Sequence, residues 1–160
     1  MKFTVIGHFC VDISHNKNGS ETKQYGGIYN VVSALANIAS EKDTIIPVFG
    51  VGEREFYGVK DKLSRYSNVD CSAMYSYAGE SNQMHLYAQG KQQTLCSKHI
   101  GAPIPFKKIE PYLNAHGVLI NMESGSDISL ETLDEIRLAI REKKTALHLD
   151  MHNLTLGTNP

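Results

Sequence analysis

The sequence has no excess of positive charge. Its 160 residues carry 16 Lys and Arg against 17 Asp and Glu, a formal net charge of -1. Nucleic-acid proteins and membrane-surface binders usually present a basic face, so this balance argues against both. No apolar run approaches the roughly 20 residues that cross a bilayer. The opening Met1-Lys2-Phe3-Thr4-Val5 leads straight into a strand, without a signal-peptide layout. Cysteine is scarce, with only Cys10, Cys71 and Cys96, widely spaced. An odd, scattered set fits reduced thiols better than a disulfide framework or a zinc site. Low-complexity segments and internal repeats are missing as well. These absences predict a cytoplasmic protein with no membrane or nucleic-acid partner. The length is enough for one domain with a real core.

What is present is an alternation of strand and helix patterns. Phe3 to Ile6 is a continuous apolar run, as in a parallel strand covered on both faces. Ile28 to Ala39 has helical spacing, with Ile28, Val32, Leu35 and Ala39 on one face. Thr44 to Phe49 predicts a second strand, whose Pro47 suggests irregularity or an edge. Phe56, Val59 and Leu63 mark a second helix, and Phe106 to Leu113 a short third one. Gly117 to Met122 and Ala146 to Asp150 predict two more core strands. Between them Leu130, Leu133, Arg137 and Ile140 sit at helical spacing, with Ser129 as N-cap. This order predicts a doubly wound, parallel α/β sheet. Two stretches break the rhythm: the polar His15 to Gln24, and Cys71 to His99. The second carries extended candidates at Ala73–Tyr77, Gln83–Ala88 and Thr94–Lys98, separated by polar turns, and predicts a small antiparallel sheet beside the body.

The chemistry-bearing pattern is Asp12 followed by Gly26-Gly27-Ile28-Tyr29-Asn30. A carboxylate just past a first strand accepts hydrogen bonds from a polyhydroxy ligand. Paired glycines ahead of a helix let a ligand approach the backbone. The expectation is a site for a small hydroxylated molecule.

Read in order, these pieces resemble the ribokinase-like (PfkB) carbohydrate kinases along essentially the whole chain, which covers about the first half of that family's usual length. Val5-Ile6-Gly7 with Asp12 is similar to the opening strand and its sugar-binding aspartate. Gly26-Gly27 before Ala34-Leu35-Ala36-Asn37-Ile38 is similar to the diglycine and its helix. Phe49-Gly50-Val51-Gly52-Glu53-Arg54-Glu55-Phe56 resembles the G-x-V-G-D-D-x-F-G stretch, and Val69-Asp70 onward to Pro103 the start of the lid. Leu119-Ile120-Asn121-Met122-Glu123 resembles the strand ending in an acidic residue near the substrate. The resemblance implies a three-layer α/β/α body with a β-sheet lid, here residues 1–160 with lid segments at about 13–25 and 71–99. It implies transfer of phosphate from ATP, with Mg²⁺, to a hydroxyl of a sugar or nucleoside. Asp12 would orient that acceptor over Gly26 and Gly27, with Asn30 and Glu123 beside it. A homodimer through the lid sheet is a further implication.

Departures from the pattern limit what it implies. The family spaces its asparagine as G-G-x-x-x-N, whereas Asn30 gives G-G-x-x-N. One position on a helix turns a side chain by about 100°. Arg54 and Tyr57 replace the second acidic residue and last glycine of the third motif. The late G-x-G-D motif, which supplies the family's base and phosphate-facing helix end, is missing, and with it the N-x-x-E ahead of it. A Walker-A sequence is missing too, and Gly50-Val51-Gly52 lacks the third glycine of a dinucleotide fingerprint. The expectation is therefore the acceptor half of a kinase in a partial sequence, inactive alone. The competing expectation is a non-catalytic ligand-binding or interaction module on the same scaffold.

Other candidates have plainer readings. His148, Asp150 and His152 alternate on a predicted strand and share a face, but further metal ligands are not evident and a structural role is favoured. Asp150 and Asn153 are marked as pocket neighbours because many relatives have Asp-x-Asn there. Cys10 has His8 nearby, yet residues two apart on a strand are poorly placed for proton transfer, so a buried structural thiol is expected. Tyr75, Tyr77 and Tyr87 could stack on a substrate or simply pack, with packing favoured, and Lys107-Lys108 are expected to end a helix in solvent.

Overall fold

The computed structural model describes residues 1–16, 18–89 and 92–151. In chain order the strands are β1 (Lys2–Gly7), β2 (Phe9–His15), β3 (Glu21–Gly27), β4 (Thr44–Val48), β5 (Gly50–Gly52), β6 (Tyr75–Tyr77), β7 (Asn82–Gln89), β8 (Gln92–Lys98), β9 (Gly117–Asn121) and β10 (Ala146–Asp150). The helices are α1 (Ile28–Ile38), α2 (Glu53–Leu63), α3 (Phe106–Ile109) and α4 (Leu130–Ile140). A four-stranded parallel sheet in the order β10-β9-β1-β4 forms the body. β1 is central, and successive side chains on it enter different cores, as the period of two requires. Val5 joins Ile28 and Val32 of α1 and Val59 and Leu63 of α2 on one face. Ile6 joins Ile109 of α3 and Ile136 and Ile140 of α4 on the other. The three layers that the apolar run of β1 predicts are thus present, and Pro47 lies on β4 at the sheet's edge. Among the described residues no helix is long and apolar enough to cross a membrane.

A second sheet runs β3-β2-β7-β8. It differs from expectation in two ways. It is mixed rather than antiparallel: two antiparallel hairpins are joined by a parallel β2–β7 seam, with Asp12 opposite Met84. Its first strand begins at Phe9, one residue beyond β1, so His8 alone carries the chain from one sheet to the other. The segment 71–81 does not extend it. Tyr75–Tyr77 pairs instead with Gly50–Gly52 in a two-stranded sheet of its own.

Helix faces also need correction. On α4, Ser129 caps the helix as expected, accepting from the Thr132 amide. Its buried positions, however, are Thr132, Ile136 and Ile140. Leu130 is 81 % exposed and Arg137 lies in solvent. Leu130 instead lines an open hollow with Leu133, Leu147 and Leu149 beside β10. On α1 the turn of the helix buries Ala36 more fully than Leu35 or Ala39. In the short third helix Pro111, which has no amide to donate, sits where α3 has given way to a 3-10 turn over Glu110–Tyr112.

Ile136→Ala should therefore lower unfolding free energy by about 2–5 kcal/mol, and Leu130→Ala by about 0.5 kcal/mol or less. Urea denaturation measures both, and equal losses would show that the α4 face is misassigned.

Candidate functional site

Asp12 lies on β2, two residues beyond Cys10, which faces Gly26 across the β2–β3 hairpin. Its carboxylate rests on the Gly26 backbone so closely that a β-carbon there would overlap both oxygens. Gly27 has a left-handed φ of 58° and caps α1. A β-carbon on it would come within 2.5 Å of the His8 carbonyl oxygen, 3.0 Å of Glu123 Cγ and 3.3 Å of Cys10 Sγ. The diglycine was expected to make room for a ligand. In the structure it first makes room for the protein's own Asp12, Glu123 and Cys10.

Cys10 sits between the two carboxylates. Its thiol donates to Asp12 Oδ1 at 3.1 Å and lies 3.8 Å from Glu123 Oε1. Burial, then the charges of Glu123 and Asp12, push this thiol far above its usual range. It stays protonated and is not a nucleophile. Met84, Ser97 and Ile100 from the second-sheet side close over Cys10, Glu123 and Ser124, leaving a space of about 10 Å³. That is roughly the minimum for one water.

A clasp holds the two halves of this arrangement. Asp127, fully buried, accepts from the His8 amide at 2.7 Å and from the Ser124 amide at 2.9 Å. It thereby ties the β1–β2 crossing to the loop that follows Glu123. The His8 ring is buried between Ser124 Oγ (2.9 Å to Nδ1) and the Ala102 carbonyl (3.2 Å from Nε2). Because a carbonyl only accepts, the neutral ring carries its proton on Nε2, and Nδ1 faces the Ser124 hydroxyl, which also lies 3.1 Å from Asp127 Oδ2. Burial is the main influence on His8 and lowers its pKa, against the opposing charge of Asp127. Sequence reasoning missed Asp127, Ser124 and the role of His8. The signal was a short polar Ser124-Gly125-Ser126-Asp127 loop between a core strand and a capped helix.

Asp12, Gly26, Gly27 and Glu123 are thus brought together. Asn30 is exposed in the first turn of α1, beyond this cluster. Asp150 ends β10 opposite Asn121, whose amide nitrogen donates to it at 3.3 Å. Asn153 and His152 lie outside the described residues. Among the described residues no three His, Cys, Asp or Glu side chains converge to hold a metal ion, so Mg²⁺ is assigned no place in this cluster.

No protein-family model matches the sequence, and no curated protein is similar enough to count as a relative. Solved structures do share its fold. A sugar kinase from Pyrococcus horikoshii, also known as an ATP complex, superposes with a TM-score of 0.72 at 16 % identity, covering 95 % of this chain and 53 % of that one. A 2-dehydro-3-deoxygluconokinase from Thermotoga maritima gives 0.72 at 16 % identity, over 95 % and 51 %. A ribokinase from Cryptococcus neoformans, bound to ADP, gives 0.64 at 13 % identity, over 92 % and 48 %. The fold is that of the ribokinase-like carbohydrate kinases, and the chain spans about half the length of the structures it matches.

Two outcomes test the geometry. Gly26→Ala should cost about 1–3 kcal/mol by overpacking, and clearly less in an Asp12→Ala background, because the overlap is with that carboxylate. Additive losses in a double-mutant cycle would contradict the contact. A histidine whose folded pKa is lowered stabilises the fold above its unfolded pKa of about 6.5 and loses that contribution as pH falls toward the folded value. Both His8 and His85 are lowered, His85 by burial and then by Lys98 and His15. The melting temperature should therefore fall as pH drops through 6.5, and His8→Gln should flatten that slope.

Proposed function

We propose that, on this ribokinase-like scaffold, the chain is the acceptor-binding part of an ATP-dependent kinase that phosphorylates a hydroxyl of a sugar or nucleoside. The observation that carries the proposal is the meeting of Asp12 and Glu123 at the backbone of Gly26 and Gly27, where the second sheet joins the parallel one. Asp12 accepts hydrogen bonds from the acceptor's hydroxyls; bonds to a charged acceptor are shorter and stronger than neutral ones. Gly26 and Gly27 let the acceptor lie against the main chain, and Glu123 lines the pocket. Asn30, Asp150 and Asn153 remain its possible neighbours.

The second sheet acts as the lid. A space of about 10 Å³ holds no sugar, so the lid lifts to admit one and closes again to exclude water, which would compete for the phosphoryl group. ATP and Mg²⁺ are the implied cofactors; bound, they supply the phosphoryl group and neutralise its charge. This chain's share is to hold the acceptor still. Leu95 and Ile100, about half exposed on or beside the lid, offer apolar surface for a second copy, and a homodimer through the lid fits them.

Thermal-shift measurement against free sugars and nucleosides tests this reading. A ligand at 100 times its dissociation constant should stabilise the protein by about 2.7 kcal/mol. Asp12→Ala should abolish most of that shift. A full shift in Asp12→Ala would place the acceptor elsewhere. Residues 1–160 alone should show no ATP-dependent turnover; measurable phosphoryl transfer would overturn that part.

A further inference from the structure

A larger cavity lies on the other side of His8, and nothing in the acceptor site uses it. It has a volume of about 280 Å³ and opens between β6 and the 101–105 loop. Tyr75, Tyr77, Pro103 and Pro105 are among the residues that line it. The floor is the bare backbone of Gly50: a β-carbon there would stand 2.7 Å from the Tyr75 ring and 2.9 Å from that of Tyr77. Glycine at this position lets both rings lie against β5 and leaves the cavity aromatic.

Two polar groups on the inner wall, one on His8 and one on Asn82, are already engaged. His8 Nε2 donates to the Ala102 carbonyl at 3.2 Å, and Asn82 Oδ1 accepts from the Gly101 amide. The Asn82 side chain and the His8 ring also separate this cavity from the acceptor pocket, since Asn82 lines both and His8 bonds to Ser124 of the other. A free sugar, which must bond most of its hydroxyls when buried, finds too few partners here. At the mouth stands one cation. Lys108 places its ammonium 3.9 Å from the centre of the Tyr75 ring, and among the described residues it forms no salt bridge.

Aromatic and proline walls, spent hydrogen-bond groups and a single ammonium at the rim specify a ligand. We propose that this cavity is a second small-molecule site, separate from the acceptor pocket, for a planar aromatic carboxylate. The ring stacks on Tyr77 and the prolines beside Tyr75, and the carboxylate pairs with the Lys108 ammonium that sits over the Tyr75 ring. Ligand pockets usually hold roughly 300 to 1,000 Å³, so this one takes a single small ring system.

Titration by ligand-observed NMR and calorimetry tests the site with three probes: benzoate, cyclohexanecarboxylate and benzamide. Benzoate should bind saturably. Cyclohexanecarboxylate, with the charge but no π-face, should bind up to about tenfold more weakly. Lys108→Met should weaken benzoate by about fivefold and leave benzamide unchanged. Ala102 is exposed at the mouth, so Ala102→Trp plugs the cavity without entering either core and should abolish binding of all three, with the melting temperature showing that the fold persists. Asp12→Ala should leave benzoate untouched, which separates this site from the acceptor reading. The proposal is overturned if benzoate shows no saturable binding, if cyclohexanecarboxylate matches it, or if Ala102→Trp still binds it.

Discussion

The buried Asp127 carboxylate is the constraint on which the rest of the site depends. It accepts amide hydrogens from His8, where the chain passes between sheets, and from Ser124, just beyond Glu123. Its own carbonyl also accepts from the Ile104 amide, in the segment that returns from the second sheet. Three loops that meet nowhere else in sequence are thereby fixed to one residue. Without those bonds the His8 amide would be buried and unpaired, at a cost of about 1–3 kcal/mol, and the half-buried Ser124 amide would lose its partner. The close approach of Glu123 to Gly27 follows from this clasp, as does the shape of both cavities flanking His8.

Much of the fold was legible in the sequence because it rests on periodicity. The apolar run of β1, the spacing of Val59 and Leu63 on α2 and the Ser129 cap of α4 are local signals, and each appears where expected. What failed was tertiary. Leu130 has the right spacing for a core face, but the helix turns Ile136 inward and leaves Leu130 over the β10 hollow. The pairing of Tyr75–Tyr77 with Gly50–Gly52 depends on a contact across more than twenty residues, which no local pattern encodes. The residues of the site divide in the same way. Asp12, Gly26 and Gly27 were readable from type and order. Asp127 was not, because a buried carboxylate serving backbone amides looks in sequence like any polar loop residue.

The diglycine shows that the packing around a glycine can differ from the one its place in the sequence suggests. Glycines before a helix suggest space for a ligand. Here that space is first claimed by Asp12, Glu123 and Cys10, which pack against the two Cα atoms. The thiol between the carboxylates, held protonated by burial and by their charges, gives Asp12 a donor within the folded chain. The carboxylate is therefore already bonded within the folded chain rather than standing as a bare charge.

Asp12 and Glu123 do not ride on the same body. Asp12 belongs to β2 and travels with the second sheet, while Glu123 follows β9 and travels with the parallel sheet. His8 is the single residue at which one strand becomes the other. The pocket is therefore less a bowl under a cover than a pair of jaws, with one carboxylate on each. The spacing of the two acids is therefore set where the two sheets meet, at the His8 crossing that Asp127 holds.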